Sequence, residues 1–186
     1  MKLFCMPLVA GALATASVAD VYVWESFTDA NGGLNAPTSG GDGVNDPSLV
    51  VVSGSPIVAG SGNLYSFMGT FGMHIYGAGF VSNPTMQIAN LGNPFDTSSF
   101  FLMSPDTPVP VVPTITETIV EGTPFSTRIY DLEWNYTGVA TFFNLETADT
   151  SASLDRLTLG TLGETVPAPG ALALLGLAGL GRRRRS

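Results

Sequence analysis

Between residues 20 and 165 apolar side chains come only in short runs, several of which alternate at every second position, and no segment shows a sustained helical period. That spacing suits a half-buried strand and cannot line one face of a helix. Clusters of Gly, Pro, Asn and Ser separate the runs, supplying turn conformations and removing backbone donors where the chain must reverse. Val21, Tyr22, Val23 and Trp24, β-branched and aromatic, predict a first strand. Further strands are predicted over residues 49–53, 56–59, 64–68, 73–81, 85–89, 99–103, 114–120, 125–134, 138–145 and 153–159. Gly60-Ser61-Gly62 predicts a tight reversal, and Gly77 and Gly79 a bulge or a close backbone approach inside a strand. Residues 29–47, rich in Gly, Asn, Asp, Pro and Ser, read as a long polar loop and as the least ordered part of the domain. The proline-rich passage 105–113 cannot be a central strand, because each proline deletes a ladder donor. It reads as an edge crossing, since the roughly fifty residues after it would be marginal as a domain of their own. The fold expected for residues 20–165 is all-β, a jelly-roll-like antiparallel β-sandwich.

The two ends have a different character. Met1 and Lys2 form a short basic start, residues 8–14 are apolar and small, and Ser17-Val18-Ala19 reads as a signal-peptide cleavage site, with the cut between Ala19 and Asp20. Cys5 is the one cysteine of the chain and lies inside this segment without a lipobox before it. Removing residues 1–19 therefore leaves no disulfide, no thiol nucleophile and no cysteine-ligated metal, and a packed core must supply the stability.

At the other end stand Val166, Pro167, Ala168 and Pro169, then an apolar run over 171–181 built only of Ala, Leu and Gly, then Arg182, Arg183, Arg184 and Arg185. The prolines predict an extended, solvated segment that an enzyme groove can read. The run from 171 to 181 reaches about 17 Å as a helix against about 30 Å of hydrocarbon, a weak span that suits temporary retention. The arginines can reach the headgroups and hold the terminus in the cytoplasm. In order and terminal position these features resemble the PEP-CTERM sorting tail of exported bacterial proteins: a Pro-x-Pro motif, a single transmembrane sorting helix and a basic cluster. Val166, Pro167 and Pro169 fit that motif, while Ala168 stands where the family usually has Glu. The resemblance implies a signal peptidase at the N-terminus and, at the tail, an exosortase-like membrane enzyme that discards the helix and the arginines. It also implies transient anchoring in the inner membrane, then delivery to the cell surface or the extracellular exopolysaccharide. An uncut tail anchor is the other reading that residues 166–186 allow.

Charge narrows the partners of the middle. Residues 20–165 hold two arginines, Arg128 and Arg156, against all fifteen carboxylates of the chain, a net charge of −13 with His74 neutral. Such a surface repels nucleic acid and anionic lipid. Catalytic patterns are thin. His74 is the single histidine, no Gly-x-Ser-x-Gly elbow is present, and no His/Cys set suits zinc. Carboxylates are plentiful enough for a glycosidase, yet nothing in the sequence selects a pair. Asp42, Asn45 and Asp46, like Asp29 and Asn31, put oxygen atoms in glycine-rich loops as calcium requires, without an EF-hand spacing; Asx-rich turns arise for backbone reasons as well. No cofactor is expected.

Three functions follow in order. The first is an exported, non-enzymatic surface or matrix protein associated with exopolysaccharide. The second is a lectin-like carbohydrate-binding module using exposed aromatics such as Trp24, Tyr76, Trp134 or Tyr136. The third is a secreted hydrolase.

Overall fold

A computed structural model of the chain describes residues 20–41, 43, 45–122 and 125–162. The expected signal peptide and its cleavage at Ala19–Asp20, the sorting motif Val166–Pro169 and the arginine cluster fall outside the described residues in whole or in part. So does Asp42.

The described chain is all-β, with every strand pairing antiparallel. The larger sheet contains β1 (Val21–Trp24), β3 (Ile57–Val58), β4 (Leu64–Tyr65), β6 (Thr85–Gly92), β8 (Thr114–Val120), β9 (Thr127–Glu133) and β11 (Ala152–Gly160). Its order is β3-β4-β11-β6-β9-β8, and β1 also pairs with β11. The smaller sheet contains β2 (Ser48–Ser53), β5 (Gly72–Ser82), β7 (Phe101–Met103) and β10 (Thr137–Glu146), in the order β2-β5-β10-β7. One hydrophobic cluster draws on both sheets, an arrangement consistent with a β-sandwich.

Alternation decides which residues enter that cluster. On β5, Met73 and Ile75 are buried while His74 and Tyr76 face outward; on β11, Leu154, Leu157 and Leu159 are buried. Each large apolar side chain removed from water in this way contributes about 1.5–3 kcal/mol. Gly77 and Gly79 adopt positive φ. The ladder steps there from Ala140↔Gly79 to Phe142↔Tyr76, the bulge those glycines predict. The passage after β7 crosses from the edge of the smaller sheet to β8 at the edge of the larger. Leu102 and Val111 exchange backbone hydrogen bonds of 2.8 and 2.9 Å that hold its later part.

Three expectations need correction. Trp24 and Trp134 are not surface aromatics: they are 0% and 1% exposed. Both fall on the inward side of the strand alternation, and each buried indole N–H finds a carbonyl, Asn35 O at 2.9 Å for Trp24 and Val111 O at 3.0 Å for Trp134. The strand expected over 64–68 stops at Tyr65, because Ser66 turns its hydroxyl onto the carbonyl of Gly69 at 2.8 Å and closes a loop. The described part of 29–47 is tied to both sheets. Asn35 is 1% exposed; its side-chain oxygen accepts from the N–H groups of Thr28 (2.8 Å) and Asp29 (2.9 Å), and its amide donates to Asp29 O (2.8 Å). Its backbone exchanges two hydrogen bonds with Leu49 on β2, while Thr38 and Ser39 bond to Val23 on β1. Asn35→Ala strands these buried groups, so the urea midpoint should fall by the equivalent of about 1–3 kcal/mol.

Candidate ligand groove and aromatic face

A groove of about 450 Å³ opens on the outer face of the larger sheet. Its floor is a row across three strands, because Ser153 of β11 pairs with Tyr65 of β4 on one side and Leu91 of β6 on the other. Residues directly opposite on neighbouring strands share a face, so three segments far apart in sequence meet there. One wall is the β3–β4 turn, carrying Ser61 and Asn63. Gly62 closes it at φ 91, donating to Ala59 O at 2.8 Å and accepting from the Phe27 N–H at 2.8 Å. Phe125, 63% exposed, contributes to the lining from just before β9. Gly92 keeps the floor open beside Ser151: at φ 84 a side chain there would run into the Ser151 carbonyl.

Behind this lining lies Asp155. The β6–β11 ladder shifts register between Leu154 and Arg156, and the bulge aims Asp155 at two groove residues. Its Oδ1 accepts from Ser153 Oγ at 2.8 Å and from Asn63 Nδ2. Burial pushes the Asp155 carboxyl above its ordinary pKa, while those two hydrogen bonds pull the other way. The lining combines an aromatic ring braced by Phe67 (Tyr65, edge-on at 4.5 Å), hydroxyls and an amide. Those groups can pack on the apolar face of a sugar-sized ring and hydrogen-bond its hydroxyls. Among the described lining residues there is no carboxylate; Asp155 touches the groove through its hydrogen bonds to Asn63 and Ser153.

On the smaller sheet, His74, Tyr76, Phe101 and Phe142 cluster on the outer face. His74 stacks on Phe142 at 4.1 Å, and Phe101 lies edge-on to Phe142 at 6.2 Å. Asn144 gives its amide N–H to Ser99 O at 2.8 Å, which leaves its oxygen facing His74 Nε2 at 2.9 Å. That oxygen can only accept, so Nε2 carries the proton and Nδ1 accepts from the Tyr76 hydroxyl at 2.7 Å. Burial holds the His74 pKa below its ordinary value, in keeping with a neutral ring. Both ring nitrogens are engaged within the cluster, Nε2 with Asn144 and Nδ1 with Tyr76.

The remaining sequence candidates disperse. Tyr76 is 37% exposed and belongs to this aromatic face. Tyr136 is half-buried, its hydroxyl tied to Ser104 and to the carbonyl of Val139. In the expected calcium loop Asn45 is exposed, and Asp46 Oδ2 accepts from the Gly43 N–H at 3.0 Å as a turn cap. Asp29 Oδ1 likewise accepts from the N–H groups of Asn31 and Gly33, both at 2.7 Å. Each of these two carboxylates thus caps backbone N–H groups of its own loop. Among the described residues no three His, Cys, Asp or Glu side chains group as metal ligands. Nor is any described helix long and apolar enough to cross a membrane.

The groove residues Asn63, Tyr65 and Ser153, and Asp155 behind them, carry no sequence signal of their own; the cross-strand register creates the site. Compared with known protein families, with curated proteins and with solved structures, the chain matches none of them, so the family resemblance rests on the residues of its tail.

Proposed function

We propose that this is an exported, non-enzymatic protein of the cell surface or extracellular matrix, a jelly-roll-like sandwich that engages neutral polysaccharide. A signal peptidase releases residues 1–19, and an exosortase-like enzyme acts at Val166–Pro169 while the helix and Arg182–Arg185 hold the chain briefly in the inner membrane. The observation that carries the glycan part is the Tyr65–Ser153–Leu91 row lined further by Asn63 and Phe125. An aromatic beside hydroxyl and amide groups matches the two-sided chemistry of a sugar ring, and the strong negative charge of residues 20–165 favours an uncharged glycan over an anionic one. This lectin-like reading now rests on Tyr65 and Phe125 in place of the buried tryptophans.

The test is affinity electrophoresis through gels cast with neutral polysaccharides. Wild type should be retarded by at least one of them, and Tyr65→Ala and Phe125→Ala should each weaken binding about 3- to 10-fold, from stacking worth about 0.5–1.5 kcal/mol. Equal mobility of wild type and both variants in every gel would remove the glycan reading.

A further inference from the structure

Most sheet edges in this fold are short or covered. β3 has two residues, β7 has three and is bridged by Val111, and β2 is bridged by Asn35. β8 differs: seven residues, Thr114–Val120, close one end of the larger sheet, and among the described residues they pair in unbroken register with β9 on one side only. The strand holds no proline, lysine or bulge, devices that keep an edge from pairing, and its one charge, Glu117, is neutralised by Arg128 on β9. Ile119 and Val120 are 47% and 50% exposed.

The sequence of this edge is symmetric about its centre. Thr116 and Thr118 flank Glu117, then Ile115 and Ile119, then Thr114 and Val120. A strand of that pattern is complementary to itself when run antiparallel. We infer that β8 is a self-association edge: two copies pair antiparallel about a two-fold axis at Glu117, joining their larger sheets into one. In that register Thr116 faces Thr118 of the second copy, Ile115 faces Ile119, and Val120 packs over Thr114. These Thr–Thr and β-branched pairs are favoured cross-strand neighbours, and the arrangement closes as an isologous dimer.

Charge on the axis is balanced. Two Glu117 side chains meet there, but each is held by its own Arg128, Nη1 to Oε1 at 2.7 Å, giving an Arg–Glu–Glu–Arg row with no net charge. The net charge of the rest of the domain still opposes association, so pairing should strengthen with salt as repulsion is screened.

The experiment uses the full chain in mild detergent, with Cys5→Ser so that added cysteines stand alone. At about 0.5 M salt, where screening reaches only a few ångströms, sedimentation equilibrium should give a dimer. Ile119→Lys should weaken it at least about tenfold with an unchanged melt, because an edge lysine blocks pairing. Under mild oxidation Glu117→Cys should cross-link to itself and Thr114→Cys should not, since two Thr114 positions lie about 20 Å apart in this register. A monomer at about 100 µM in high salt, a dimer that survives Ile119→Lys unchanged, or equal cross-linking at 114 and 117 would each overturn the proposal.

Discussion

Trp134→Ala should lower the melting temperature by roughly 10–15 °C, from a loss of about 3–5 kcal/mol in a domain whose total stability is on the order of 5–15 kcal/mol. The indole is 1% exposed and meets Phe143 edge-on at 5.1 Å, so truncation opens a cavity against the neighbouring sheet. It also removes the N–H that bonds Val111 O at 3.0 Å, and Val111 pins the proline-rich crossing to Leu102. The lost bond leaves that carbonyl with the Leu102 N–H as its remaining donor, so the crossing is held by its backbone pair with Leu102 and no longer by the indole. Trp134→Phe keeps most of the volume and loses only the donor, so its cost should be about a third as large. Phe125→Ala, on the surface, should move the melt by less than about 0.5 kcal/mol equivalent. Thermal melts followed by far-UV circular dichroism rank the three. A Trp134→Ala melt within 3 °C of wild type, roughly 1 kcal/mol at this size, would mean that the indole does not join the sheets as described.

Strand positions were legible because period-two alternation is local. Thr114–Val120 and the ends of β10 and β11 fall within a residue or two of the alternation, and the glycine pair in β5 marks its bulge. What depended on distant partners was not legible. Alternation says that Trp24 and Trp134 sit on one side of a strand, not which side is covered, and both proved to be inside. Tyr65 looked like one more strand residue until the ladders set it beside Ser153, in one row with Leu91. The β11 bulge that turns Asp155 toward the groove contains no glycine to announce it. Asn35 lay in a stretch whose composition reads as open loop, and only its hydrogen bonds show that a buried amide organises it.

Replacing Arg182–Arg185 together by Ser should have an all-or-none effect on where the protein ends up. Each retained arginine resists translocation by about 2.5–3.5 kcal/mol, so four supply on the order of 10 kcal/mol. The Ala/Leu/Gly run over 171–181 offers only a few kcal/mol of insertion from its leucines, before its glycines weaken it. Without the arginines the span should slip through, and unprocessed protein should appear outside the inner membrane with its C-terminal peptide attached. Pro167→Ala combined with Pro169→Ala should do the reverse. Insertion persists, the extended motif is no longer presented, and full-length protein accumulates in the inner membrane, as fractionation and immunoblotting would record.

Export followed by tail removal is the centre of the proposed function, and mass spectrometry of the surface-released wild-type protein addresses it without any variant. Its C-terminal peptide should end at or near Val166–Pro169 and lack residues 171–186. A released protein that still ends at Ser186 would contradict processing and make the segment a permanent anchor or an unrelated tail.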